Sequence, residues 1–400
     1  MLPLDGVRIL SFEQFGAAPF GTLFLANLGA EVIKVENPAH KGDVSRSIGP
    51  YFLNGDDPSN NSLYFQSVNH NKSSLTLDLS KDGAQTVLHD LLRTCDALAT
   101  NLRGDVAGKL GLTYRELGKF NPKLVCAHIT AYGRSGPRSS WPGYDYIMQA
   151  EAGYFHLTGD PDSPPTRFGL SIVDYMTGMG LALALTSALI GARQTGKGRD
   201  IDVNLFDMAL YNLGYVALWQ MNAGHNQQRV PRSAHPSVTP CQLFKTRDGW
   251  IYINCSKEKF WQILCDKVGK PEWKSDPRFL TFKDRFENRQ LLNDLLEDVT
   301  QQRNTDDWIQ AFEARIPFAP ILDVESALTN PFVANSDRIT TIKHSDDEVF
   351  KALRCPIRFE GEQTELQTAP ALGQHTDDLL RELAGYDDSR IENLRQRKVI

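Results

Sequence analysis

Residues 7–36 read VRILSFEQFGAAPFGTLFLANLGAEVIKVE, and this stretch decides the fold class. Val7 to Phe12 is a short apolar run of the kind carried by a parallel strand buried on both faces. A loop of small residues, Glu13 to Gly21, leads into a helix through Leu23 to Leu28. A Gly-Ala turn follows, then a second strand, Glu31 to Glu36. Such a β-loop-α-β unit invites a dinucleotide fold, yet Gly16-Ala-Ala-Pro-Phe-Gly21 is not GxGxxG. Pro19 also removes an amide donor where a pyrophosphate needs one. The expectation is a Rossmann-like fold without a nicotinamide dinucleotide site.

The chain beyond repeats the unit. Ser67 to Asp78 is a basic, polar turn leading into an alternating strand, Asp82 to Leu92 spells an amphipathic helix, and Cys95 to Thr100 and Leu124 to Ile129 read as further strands. Thr113 with Glu116 has the spacing of a capping box. Four strand-loop-helix units predict an α/β class with a parallel sheet. In such sheets the loops after strand carboxyl ends hold ligands, so Gln14, Lys72, Asn101 and Tyr132 can face one site. By itself Lys72 reads as solvated surface.

Arg167 to Gly180, RFGLSIVDYMTGMG, delivers a single carboxylate, Asp174, to the start of a helix-like run that Gly178 and Gly180 interrupt. An aspartate there is either an N-cap or a partly desolvated nucleophile or base near the positive helix end. Leu181, Leu183, Leu185 and Leu189 predict a largely buried helix, ending at Gly-Lys-Gly before a strand-like Asp-Ile-Asp-Val.

Four hundred residues suggest two domains. Phe206 to Met221 reads as a helix leaving the first domain, and His225 to Pro240 is a polar, proline-bearing boundary. Residues 241–330 read as a smaller α+β unit with a hairpin turning at Arg247-Asp248-Gly249, and short strands return in 338–368 before a helix from Thr376 to Ala384. The expected division is 1–224, 225–330 and 331–400. Residues 37–62 read as a long surface loop with a Gly-Asp-Asp-Pro turn at 55–58. A net charge of −6 argues against nucleic acid or anionic membrane as partner. Six scattered cysteines without CxxC spacing, no signal-like leader and no span-length apolar run predict a soluble, cytoplasmic protein. There is no P-loop, HExxH, GxSxG or zinc pattern, so no metal is expected.

The motifs together resemble, nearly end to end, the class III CoA-transferase family: the formyl-CoA and carnitine CoA-transferases, with α-methylacyl-CoA racemase as a relative. The matching pieces include LGAEVIKVENP (28–38), NKSSLTLDL (71–79), CDALATNLRGDVAGKLGL (95–112), ITAYGRSGP (129–137), PGYDYIMQAEAG (142–153) and VDYMTGMG (173–180). The resemblance implies a Rossmann-like large domain formed by both chain ends, a smaller middle domain, and two subunits interlocked as a homodimer. It places the nucleophilic carboxylate on Asp174, which receives the acyl group and then CoA from a thioester. It sets Asn101, Leu102 and Lys109 along CoA, with Lys109 on a phosphate, Lys72 and Tyr132 in the same groove, and Gln14 and Gly16 near the thioester. CoA thioesters enter as substrates, with no tightly bound cofactor.

Racemases of this family pair the aspartate with a Gly-His-Asp histidine, where this chain has Gly143-Tyr144-Asp145. Tyrosine is a poor base at neutral pH, so the transferase reading leads. An epimerase and a non-catalytic acyl-CoA-binding protein are the alternatives. Two further departures are RVPRSAHPSVTP (229–240) in place of a glycine-rich covering loop, and Asn37 in place of an arginine. Arg134, Arg138 and Arg167 lie near these motifs and suggest an acceptor with a second carboxylate, a C4–C5 dicarboxylate.

Overall fold

The computed structural model describes residues 1–53, 62–344, 349–362 and 364–400, so the turn expected at 55–58 lies outside the described residues. The chain forms two compact units. One comprises Met1–Ala152, Phe168–Gly214 and Ser336–Ile400; the other comprises Gly153–Arg167 and Tyr215–Asn335. The second unit therefore starts ten residues earlier than the composition shift suggested, and takes in an additional short piece.

The first unit is built on β1 (Arg8–Phe12), α1 (Ala17–Asn27), β2 (Glu31–Glu36), β3 (Ser73–Thr76), α2 (Ala84–Leu92), β4 (Ala97–Thr100), β5 (Val125–Thr130), α3 (Asp145–Glu151), α4 (Ile172–Thr195) and β6 (Arg199–Asn204). The strands form one six-stranded sheet in the order β3-β2-β1-β4-β5-β6. Every pairing in it is parallel. Ile9, Leu10, Ile33, Leu98 and Val125 are fully buried, which is why these strands read as continuous apolar runs. The order of strands reverses between β1 and β4, and a crevice opens there beyond the carboxyl ends. Register then sets what meets in it. Phe12 pairs with Thr100 and Thr100 with His128, so the loops beginning at Glu13 and Asn101 leave the sheet side by side.

Helix α4 runs unbroken through Gly178 and Gly180. Gly178 is where α1 lies against it. A Cβ at Gly178 would stand 2.5 Å from the Ala17 carbonyl oxygen, and one at Gly21 2.4 Å from the Gly178 oxygen. Gly178→Ala is therefore expected to lose about 2 kcal/mol by overpacking, despite alanine's helix advantage of ~1 kcal/mol. Gly191 lies in the same helix with nothing within 4 Å of its Cβ position. Gly191→Ala should gain up to ~1 kcal/mol, so paired urea melts of the two variants check the account.

The helix is half covered rather than largely buried. Val173, Thr177, Leu181, Leu185 and Leu189 face inward, while Leu183 is 71% exposed and Ile190 55%. Its length and apolarity meet those of a membrane span. Its inner face nonetheless packs on α1, β5 and β6. The capping box expected at Thr113 does not form: the Thr113 side chain caps nothing, and Asp200 of β6 accepts the Tyr114 N–H at 2.9 Å instead. The helix expected over Phe206–Met221 is divided at Gly214, which takes a positive φ of 57°.

Residues 375–399 return to the edge of the sheet. His375 donates its N–H to the Ser74 carbonyl at 3.0 Å, Thr376 Oγ1 accepts the Thr76 N–H at 3.0 Å, and Val399 accepts the Asp78 N–H at 2.8 Å. Leu379, Leu380, Ile391, Leu394 and Val399 share one core with Leu75, Leu88 and Leu91. The second unit carries an antiparallel sheet of Cys241–Lys245, Trp250–Asn254 and Phe318–Pro320, with the expected hairpin closed by Lys245 opposite Trp250. Trp261, Phe279, Trp308 and Phe312 fill its core.

Candidate active site

The crevice beyond β1 and β4 holds a cavity of about 270 Å³, lined among others by Gln14, Gly16, Asn101, Leu102, Tyr144 and Asp174. Five of these come from loops that follow strands or precede α3; the sixth sits in the first turn of α4.

Helix α4 starts after Ser171, so Asp174 is its third residue and not its cap. The Asp174 N–H donates to Asp145 Oδ2 at 2.9 Å, which lets a buried carboxylate from the first turn of α3 close the helix start. The Asp174 side chain is thereby left to the cavity. Its Oδ2 lies against Gly16, where a Cβ would stand 2.8 Å away, and Tyr64 Oη would be 3.5 Å from the same Cβ. Burial first, and then the neighbouring Asp145 charge, push the Asp174 carboxyl from 3.8 up to about 7. An aspartate in this setting is a poorly solvated carboxylate, more basic than an ordinary one once ionised, as a nucleophile toward an acyl carbon should be.

The opposite wall is the turn after β1. Asn101 holds Gln14 from both sides, accepting its N–H at 2.9 Å and donating to its carbonyl at 2.6 Å. Phe15 takes a left-handed φ of 60°, and its ring meets the Tyr144 ring edge-on at 5.9 Å. Tyr144 itself is 62% exposed at the cavity mouth.

The other residues singled out from the sequence stand elsewhere. Lys72 is buried under the turn, its ammonium on Glu13 Oε1 at 2.7 Å and on the Pro19 carbonyl at 2.9 Å. That burial, only partly offset by Glu13, lowers its pKa to about 8. Lys109 is exposed and shares Asp105 with Arg103, each at 2.6 Å; Arg103 also lines the cavity. Tyr132 donates to Glu151 at 2.7 Å, and Arg138 pairs with the same carboxylate. Arg134 is engaged by Asp202 at 2.5 Å and Asp200 at 3.6 Å. Arg167 belongs to the second unit. Asn37 caps the short turn after β2 and donates to Asp78 at 3.2 Å.

Asp145, Tyr64 and Phe15 were not singled out from sequence. Only Asp145 left a signal, as the last residue of Gly143-Tyr144-Asp145. The approach of Tyr64 to Asp174, 110 positions on, is a product of the fold alone.

A comparison with family profiles matches CoA-transferase family III over residues 4–376. The chain is 37% identical over 334 residues to an acetyl-CoA:oxalate CoA-transferase of Acetobacter aceti, covering 83% of this chain and 84% of that protein. It is 33% identical over 396 residues to a succinyl-CoA:glutarate CoA-transferase of Mus musculus, covering 98% and 89%. Among solved structures, a CAIB/BAIF family protein from Brucella suis superimposes with a TM-score of 0.82 at 32% identity, covering 96% of this chain and 99% of that one.

Proposed function

Because the chain belongs to CoA-transferase family III, we propose that it moves CoA from a short dicarboxylyl-CoA, succinyl-CoA above all, to a free C4–C5 dicarboxylic acid through an aspartyl thioester on Asp174. The observation that carries this reading is the Asp174 carboxylate, freed from capping and desolvated against Gly16 inside the cavity. An ionised Asp174 oxygen attacks the donor carbonyl and expels CoA thiolate, leaving a mixed anhydride. The thiolate then attacks the aspartyl carbonyl carbon, releases the donor acid and leaves CoA on the enzyme as a thioester. The acceptor carboxylate attacks that thioester, and the thiolate takes the new acyl group and restores Asp174. No water is consumed, and a site closed to water preserves the thioester energy.

Among the described residues lining the cavity there is no histidine, which supports transfer over α-proton exchange. Relatives named for oxalate, glutarate and succinyl-CoA support a dicarboxylate acceptor such as succinate, glutarate, mesaconate, itaconate or citramalate. Arg103 lines the cavity, and its place there, with Lys109 beside it on the shared Asp105, supports a site for the negative groups of CoA and acceptor. The exposed apolar face of α4 favours a homodimer.

Intact-mass spectrometry after mixing with succinyl-CoA, with hydroxylamine trapping and peptide mapping, is the test. A CoA-sized adduct or a hydroxamate on Asp174 is expected; modification at any other residue, or none, sinks the reading. The rate of adduct formation should rise about tenfold per pH unit and level off near pH 7, since only the ionised carboxylate attacks. Asp145→Asn removes the neighbouring charge and should move that inflection to lower pH, by up to ~1 unit.

A further inference from the structure

Strand β2 buries two of its three charged residues, Lys34 and Glu36, which are 0% and 3% exposed. A charge in the middle of a buried parallel strand costs several kcal/mol unless it is matched. Here it is matched by a cluster under the cavity: the cations Lys34, Arg46 and Lys72 with the anions Glu13, Glu36 and Asp43, every one at 5% exposure or less. An apolar sheet face would be cheaper to fold, so the arrangement calls for a reason.

Its contacts supply one. Lys34 Nζ donates to the Glu13 carbonyl oxygen at 2.8 Å and pairs with Asp43 Oδ2 at 2.8 Å. Asp43 Oδ1 in turn accepts the Phe15 N–H at 3.3 Å. With Asn101 on both polar groups of Gln14, the backbone is anchored at Glu13 O, Gln14 N, Gln14 O and Phe15 N in succession. The residue so held, Phe15, is in a left-handed conformation that disfavours any residue but glycine. The next residue is Gly16, in contact with the Asp174 carboxylate. Arg46 belongs to the same cluster one step further from the turn, on Glu36 and the Pro370 carbonyl, with Glu36 Oε2 also accepting the Asp43 N–H at 3.0 Å.

We propose that the buried Lys34–Asp43 pair is a positioning device for acyl transfer: it holds Phe15 left-handed and so sets where Gly16 stands against Asp174. The inference rests on the reading of Asp174 as nucleophile. A misplacement of ~1 Å at such a site costs up to ~100-fold in rate.

The test compares Asp43→Leu and the uncharged pair Lys34→Met/Asp43→Leu, neither of which can hold the turn, with Arg46→Met, all assayed at a temperature where each is folded by circular dichroism. The double variant leaves no unmatched charge and so keeps the comparison available if the single variant does not fold. Both Asp43 proteins should lose about 30–100-fold in kcat and in the rate of Asp174 adduct formation, with CoA Kd and donor KM within about twofold. Arg46→Met should lose stability as well, yet keep kcat within about twofold. Wild-type kcat in the Asp43 variants, or kcat losses in all three that merely track stability, overturns the inference. Absence of the adduct in the wild type refutes the nucleophile reading instead, so the two failures are separable.

Discussion

Asp174→Asn protein should be inactive by at least about 10⁴-fold and, at pH 8, more stable than the wild type. The first effect follows from removing the attacking oxygen without changing the side chain's shape. The second follows from where the native carboxyl titrates. The unfolded chain ionises Asp174 near 3.8, the native protein near about 7. Between those values the native state binds more protons than the unfolded state, so wild-type stability falls as pH rises through that window. The loss is complete above pH 7 and absent below pH 4. Replacing the acid by its neutral isostere should recover about 2–3 kcal/mol at pH 8 and nothing at pH 4. Urea denaturation of both proteins at the two pH values measures it. An unchanged or lowered stability at pH 8 would mean that the carboxylate is adequately solvated, and the case for an activated nucleophile goes with it.

Gly16→Ala should cost about 100-fold in kcat while moving Tm by no more than ~2 °C. Gly16 has a φ of −104°, which any L-residue adopts, so the backbone carries no objection to a side chain. The objection is local: the new methyl would stand 2.8 Å from Asp174 Oδ2. Either the carboxylate turns away from the thioester position or the turn after β1 retreats. Steady-state kinetics with thermal melts distinguish this from a folding defect, and activity within threefold of wild type would show that the two walls need not meet so closely.

How much of this was legible in the sequence depended on the range of the forces involved. Strands β1, β4 and β5 were readable as buried, largely apolar runs and β3 and β6 as alternating ones, and the family resemblance holds across the chain. Helix α4 was readable as a helix but not as one-sided, since leucine at 183 looks like leucine at 185 until the fold covers only one of them. The Thr113 capping box was a local expectation, whereas the helix start is met by Asp200, 86 residues from Tyr114, which accepts the Tyr114 N–H. Lys72 looked available because its partner, Glu13, lies 59 residues away and the two meet only when β1 and β3 share a sheet. Arg134 and Arg138 looked free for the same reason, before Asp202 and Glu151 were brought beside them. Asp174 was nameable from its motif and Gly16 beside it by resemblance; the Asp145 charge that adds to the Asp174 shift, from the start of α3, was not.

The return of residues 375–399 to strand β3 has a consequence for biosynthesis. The edge of the sheet and the apolar face of α2 are made early, but their partners, from His375 to Val399, emerge from the ribosome some three hundred residues later. Until then β3 offers unpaired backbone groups beside exposed Leu75, Leu88 and Leu91, the kind of edge at which nascent chains associate wrongly. The second unit, whose sheet and core draw only on residues between Gly153 and Asn335, carries no such dependence and can close while the first unit waits. Chaperones would therefore meet this protein as a finished middle carried by an unfinished frame.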